Sequence, residues 1–150
     1  SIVAAEAYAL HRQRLESDAV TQYDPYIAHR LAGGRDISAG DYIDMLATRK
    51  QIWADVQAVT RHFDALILPT SPALPPSLAT LDSIDAKTAA NARCLRNTSL
   101  SNYLDRPTIT LPCHAPGTAP VGLSLIGPRQ HDRRLLAIAA GVEAALTAAG

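Results

Sequence analysis

The chain has 150 residues, with 14 basic and 14 acidic side chains and 47% hydrophobic residues. This length suits one compact domain with its own core. The balanced charge and the lack of a long apolar run argue against nucleic-acid binding and against a membrane span. The two cysteines need not form a disulfide at this length, so we expect a reducing, cytoplasmic setting.

The first part of the sequence predicts three helices. Strong helix formers run from Ile2 to about Leu15, and a second helix begins at Tyr23-Asp24-Pro25 and ends at Gly33-Gly34. Ser38 and Asp41 have the spacing of a capping box, which places the start of a third helix. Apolar residues then recur at the helical period from 39 to about 62.

The rest of the sequence alternates strands with helices. Aliphatic runs bounded by proline predict strands at 64–70, 107–112 and 121–126, while 83–103 and the segment from Asp132 predict helices. The second and third strands could form an antiparallel hairpin. We therefore predict an α/β fold, part of a mixed β-sheet flanked by helices. The residues predicted for the core of the sheet are Leu66, Leu68, Leu111, Leu123 and Leu125.

The sequence contains no convincing nucleophile. Neither Lys50 nor Lys87 lies near a Gly/Ser-rich turn, and no two serines are adjacent, so we assign no catalytic residue. Cys113-His114 permits a cysteine hydrolase as a minor hypothesis, although a cysteine at a strand end more often packs. The scattered histidines predict no metal site, and without a glycine-rich phosphate motif we expect no cofactor.

Arg49 is the unusual charge of the third helix because it lies on the apolar stripe. A guanidinium there is costly unless it is paired. We predict a structural role for it in an ion pair, with a substrate carboxylate as the alternative partner.

Several strings of this sequence resemble the carboxy-terminal part of amidase signature hydrolases. The most specific are Asp64-Ala65-Leu66-Ile67-Leu68-Pro69-Thr70 and Pro120-Val121-Gly122-Leu123-Ser124-Leu125-Ile126-Gly127. Asn102 followed by Pro107 stands between them in the order expected for the family. The resemblance runs from about Tyr26 to Leu146.

The resemblance implies an enzyme that hydrolyses carboxylic amides to an acid and ammonia or an amine. Its triad is serine, a second serine with a cis peptide bond, and lysine, and these residues precede the region that this chain matches. We therefore expect residues 1–150 to be a single domain or fragment, cut at its start, that lacks the catalytic half and is inactive alone. Expected partners are that amino-terminal half and a small-molecule amide, with a homo-oligomer as a further possibility.

The resemblance also suggests which residues meet the substrate. The stretch before the Asn-to-Pro motif forms one pocket wall in the family, which here implies Leu95, Thr98 and Ser101, with Asn102 in a structural role. Asp105 stands where many members have glycine, as in members resembling fatty acid amide hydrolases, and favours non-polar acyl groups. Leu95 replaces the aspartate that holds glutamine in tRNA amidotransferase subunits, which disfavours a glutaminyl substrate.

A second hypothesis remains open at this point. The chain could be a free-standing α/β binding or interaction module that has the sheet but no chemistry. An upstream coding sequence without a lysine and a Ser-Ser segment would favour it.

Overall fold

A computed structural model describes residues 1–149. Within this range, two short 3-10 helices, Asp18–Gln22 and Leu78–Thr80, accompany six α-helices and three strands, which confirms the α/β class. In chain order the elements are α1 Ile2–Leu15, α2 Pro25–Ala32, α3 Ala39–Thr60, β1 Leu66–Pro69, α4 Ile84–Leu95, α5 Thr98–Leu104, β2 Thr108–Pro112, β3 Gly122–Ile126 and α6 Asp132–Ala149. The chain divides into two compact units, Ser1–Ile52 and Trp53–Gly150.

The helices of the first unit begin at side-chain caps. The Asp24 carboxylate accepts hydrogen bonds from the Tyr26 and Ile27 amides at 2.9 and 3.2 Å, with Pro25 as the first helical residue. The capping box forms as predicted: the Ser38 hydroxyl accepts from the Asp41 amide, and the Asp41 carboxylate accepts from the Ser38 amide and hydroxyl. These donors lower the pKa of Asp41 below its ordinary value.

The second unit contains a three-stranded sheet in the order β1-β3-β2. Both pairings among the described residues are antiparallel, with Ile126 opposite Leu66 on one side and opposite Thr108 on the other. The hairpin considered for 107–126 is therefore present. β3 lies in the middle of the sheet, while β1 and β2 are its edges.

The core lies between the sheet and α6, which packs against β2 and β3. Its buried members are Leu111, Leu125, Leu135 and Ala139. The expectation was wrong in part, because Leu66, Leu68 and Leu123 are only half-buried. Ile67 of β1 shares the face of Leu125 yet is 67% exposed, because β1 is the edge strand away from the β2–β3 hairpin.

Large apolar side chains are also exposed on the helices. Leu10 of α1 is 79% exposed, Val59 of α3 is 70% exposed and Leu78 is 85% exposed. Within residues 1–149, no helix combines the length and the hydropathy needed to cross a bilayer. The exposed apolar surface of this chain is therefore spread over several elements.

Candidate functional site

An open cleft of about 690 Å³ lies where β1 ends. The chain leaves Pro69 through a loop with prolines at 72, 75 and 76, which keep it extended and away from helical geometry. Most of the lining is apolar, but a thiol and an imidazole contribute to it. The residues of its wall include Thr70, Leu74, Pro76, Cys94, Pro112 and His114.

Three hydroxyl groups meet beside this cleft, one from β2, one from β3 and one from Thr70, the residue after β1. The Ser124 hydroxyl lies 2.7 Å from that of Thr70 and 3.1 Å from that of Thr110, and the two threonine oxygens are 3.2 Å apart. Ser124 is 4% exposed, so its polar group needs these partners. Gly122 makes the approach possible, because a Cβ there would lie 2.7 Å from the Thr110 methyl and 2.8 Å from the Thr70 oxygen.

The junction of α4 and α5 is fixed to the same end of the sheet. The Asn97 side-chain amide donates to the Pro69 carbonyl over 2.7 Å. Cys94, one turn earlier, lines the cleft. This hydrogen bond therefore places the segment predicted as a pocket wall beside the end of β1.

The three predicted wall residues lie along this junction with different exposure. Leu95 ends α4 and is 41% exposed, whereas Thr98 is half-buried and Ser101 is 5% exposed. The Thr98 hydroxyl donates to the Leu95 carbonyl over 3.3 Å, and the Ser101 hydroxyl donates to the Thr98 carbonyl over 3.0 Å. Leu95 is the most exposed of the three, but within residues 1–149 the lining of the cleft includes its neighbour Cys94 and none of these three residues.

The two predicted structural residues lie in different units. Arg49 is half-buried on α3, and its charge opposes the increase in the pKa of Tyr42 that the Glu6 carboxylate causes. Asn102 is exposed on α5, and its backbone carbonyl accepts from the Asp105 amide. Their proposed roles stay predictions.

Cys113 and His114 do not pair as a nucleophile and its base. The thiol lies 3.6 Å from the Val121 carbonyl oxygen, and the His114 Nδ1 lies 3.2 Å from the same oxygen. Cys113 is exposed, and no hydrogen bond joins the two side chains in this part of the described chain. Across residues 1–149, no three histidine, cysteine or acidic side chains form a group that could hold a metal ion.

Ser124 and Asn97 are among the residues of the site that were not predicted from the sequence. Ser124 had a signal, since it is a small polar residue between leucines in an aliphatic strand. Asn97 had none, because its partner is 28 residues away and is a backbone carbonyl.

The family model for amidases, described as "Amidase", matches residues 5–136. The 2-amino-5-chloromuconic acid deaminase of Comamonas testosteroni is 31% identical over 143 residues, which are 95% of this chain and 31% of that protein. A glutamyl-tRNA(Gln) amidotransferase subunit of Sulfurisphaera tokodaii is 31% identical over 120 residues, which are 77% of this chain and 25% of that protein. The chain therefore spans between a quarter and a third of these curated relatives.

Solved structures agree with the sequence matches. A crystal structure of an amidase superposes with a TM-score of 0.78 at 26% identity, covering 95% of this chain and 33% of the amidase. The S177A form of Kluyveromyces lactis allophanate hydrolase superposes with a TM-score of 0.76 at 25% identity, covering 91% of this chain and 22% of the hydrolase. Together with the family match, these likenesses show that the chain belongs to the amidase signature family.

Proposed function

We propose that this chain is the carboxy-terminal part of an amidase that hydrolyses a carboxylic amide to an acid and ammonia or an amine. The observation that carries the proposal is the amidase match over residues 5–136 in a chain that spans at most a third of its matched relatives. The serine, cis-serine and lysine of the triad then belong to polypeptide that precedes this region. The presence of only two lysines and the absence of adjacent serines in this chain support that division.

The reaction requires a nucleophile and a place for the acyl group. The serine oxygen attacks the amide carbon, the C–N bond breaks as the nitrogen takes a proton, and water then hydrolyses the acyl ester to release the acid. The nucleophile comes from the preceding polypeptide, while this chain contributes the cleft at the end of β1. A mostly apolar wall there favours an apolar acyl or leaving group.

Leu95, Thr98 and Ser101 form the proposed substrate wall, with Leu95 making the direct contact because it is the most exposed of the three. Leu95 provides no charge for the amino group of a glutaminyl substrate. Asp105 further favours non-polar acyl groups by its likeness to fatty acid amide hydrolases. Two matched relatives are named a deaminase and an amidotransferase subunit, which supports a substrate that carries a nitrogen leaving group.

An amide-hydrolysis assay tests whether the catalytic residues lie in the preceding polypeptide and not in this chain. Ammonia or amine release is measured for this chain alone and for a longer polypeptide that includes the preceding segment. We expect turnover only in the longer protein, abolished by replacing its upstream lysine. Turnover by this chain alone that is lost on substituting one of its own serines would contradict the proposal. A preceding segment without a lysine and a Ser-Ser pair would support the binding-module hypothesis instead.

The wall is tested in the longer protein. We expect Leu95→Asp to lower kcat/KM for an apolar amide about tenfold or more, because an acyl group loses an apolar contact and meets a charge. Leu78→Asp is the matched control, since Leu78 is 85% exposed and lies in a separate 3-10 helix. Equal losses of kcat/KM in the two variants would contradict the assignment of Leu95 to the substrate wall.

A further inference from the structure

A second cavity, of about 460 Å³, lies at the opposite end of the sheet from Thr70. It is formed by the end of α3, the residues before β1 and the segment that follows β3, so it is built within the second unit. We call it the guanidinium pocket because four arginines line it. They are Arg61, Arg106, Arg129 and Arg134.

Two of the four guanidinium groups are neutralised by carboxylates. Arg134 pairs with Asp64, and Arg129 pairs with Asp105, its Nε donating over 3.0 Å. The partners of Arg61 and Arg106 are not carboxylates: the Arg61 Nε donates to the His62 Nε2 over 3.0 Å, and Arg106 donates to the Thr60 hydroxyl. Among the residues that the structure describes, no carboxylate lies within ion-pair distance of either. The guanidinium pocket therefore carries an excess of about two positive charges.

Arg106 is held in place without being neutralised. The Thr60 hydroxyl donates to the Val56 carbonyl over 2.6 Å, which leaves its oxygen to accept from the Arg106 Nη2 over 2.8 Å. Partial burial lowers the pKa of Arg106, although a guanidinium stays protonated. An arginine has five N–H donors, and only one of these has a protein acceptor in the described chain.

The wall of the guanidinium pocket also has an apolar part. Trp53, Leu104 and Ile126 line it, and the last two are 2% and 1% exposed. The Trp53 Nε1 donates to the Tyr103 carbonyl over 2.7 Å, and the Arg129 guanidinium lies 4.2 Å from the centre of the Trp53 ring. Apolar surroundings strengthen the attraction between a guanidinium and an anion.

From this combination we propose that the guanidinium pocket binds a small oxyanion with two negative charges, held by Arg106 and Arg61. A phosphate group or a short dicarboxylate has this chemistry, and both match the fork of N–H donors on arginine. The two negative charges of such an anion would balance the two positive charges of Arg61 and Arg106, which no carboxylate of the described chain neutralises. The proposal does not depend on the amide-hydrolysis function.

Trp53 supplies a direct probe, because it is the single tryptophan of the chain and lines the cavity. The chain is titrated at constant ionic strength and about pH 8, where phosphate carries two charges. The additions are inorganic phosphate, malonate, acetate and sodium chloride. Titration calorimetry of the longer polypeptide that includes the preceding segment is the second measurement. We expect a saturable change with phosphate, malonate or both, and none with acetate or chloride.

The result separates the two sources of the dianion. Saturation by phosphate alone indicates a phosphate group, saturation by malonate alone indicates a dicarboxylate, and saturation by both indicates a site for either. The proposal is overturned if neither ion saturates in fluorescence and calorimetry, or if acetate binds as tightly.

Variants that each remove one positive charge test the assignment to Arg106 and Arg61. We expect Arg106→Gln to weaken binding about tenfold or more, since it removes charged hydrogen bonds. Arg61→Gln is the second variant, and because its side chain is exposed we expect it to fold normally. Arg133→Gln is the control: Arg133 is an exposed neighbour of Arg134 that does not line the cavity, and we expect an effect within about twofold. Equal weakening by all three would show a non-specific charge effect and refute the site.

Discussion

Asp105 combines a backbone requirement with a charge. It follows the last residue of α5 with φ of 53° and ψ of 47°, the left-handed conformation in which glycine is least strained and aspartate is better tolerated than most residues. Its carboxylate also pairs with Arg129, whose guanidinium lies over Trp53. The glycine that many family members are expected to have here would satisfy the backbone but would leave Arg129 without this partner.

Two substitutions separate these contributions. Asp105→Gly should change the free energy of unfolding by less than about 1 kcal/mol, because relief of backbone strain offsets the loss of an exposed ion pair. Asp105→Ala should be less stable than Asp105→Gly by about 1 kcal/mol or more, because alanine has neither the ion pair nor glycine's freedom. Urea denaturation measures both. An alanine variant as stable as the glycine variant would contradict the assigned strain.

At the residue scale, hydrogen bonds between residues close in the sequence were predictable, and hydrogen bonds between residues far apart in the sequence were not. The capping box of Ser38 and Asp41 joins residues three apart, so its spacing alone indicates it. Arg106 and Thr60 are 46 residues apart. The sequence around either residue does not indicate the other as its partner, because only the folded chain brings them together.

At the scale of elements, β3 is the strand that joins the sheet, the core and the hydroxyl contacts of the second unit. It pairs with both other strands and contributes Leu125 to the core. It also holds the Ser124 hydroxyl within hydrogen-bond distance of the Thr70 hydroxyl. Its position as a strand was predictable from the aliphatic run bounded by proline and glycine. Its place in the middle of the sheet was not, because strand order depends on which strands hydrogen-bond along its two edges, and the run itself does not specify them.

The two glycines of β3 and α6 should respond in opposite ways to alanine. Gly122→Ala should destabilise the chain, because its new methyl would collide with Thr110 and Thr70 where the three strands meet beside the cleft. Gly141→Ala should stabilise it by about 0.5–1 kcal/mol, because Gly141 is exposed within α6 with open space at its Cβ position and alanine favours the helix. Thermal unfolding followed by circular dichroism checks both, and a gain in stability for Gly122→Ala would contradict the packing.

At the scale of the whole molecule, zero formal charge coincides with exposed apolar side chains at the edge of the sheet. Composition predicted an ordinary neutral domain, and the charge balance alone gives no sign of unpaired edges. β1 and β2 each pair on one side only within the described chain, and Ile67 of β1 is 67% exposed on the face that α6 covers elsewhere. A neutral chain lacks the repulsion that would keep such edges apart.

We therefore expect the isolated chain to self-associate near neutral pH through the edge at β1. Ile67→Lys should reduce this association, because it replaces an exposed apolar side chain by a charge. Thr108→Lys is the matched control, since it adds the same charge to an exposed position of the other edge strand without removing an apolar side chain. Light scattering against protein concentration measures the difference. If both variants become equally monodisperse, added charge alone explains the effect; if neither does, the contact lies on another surface.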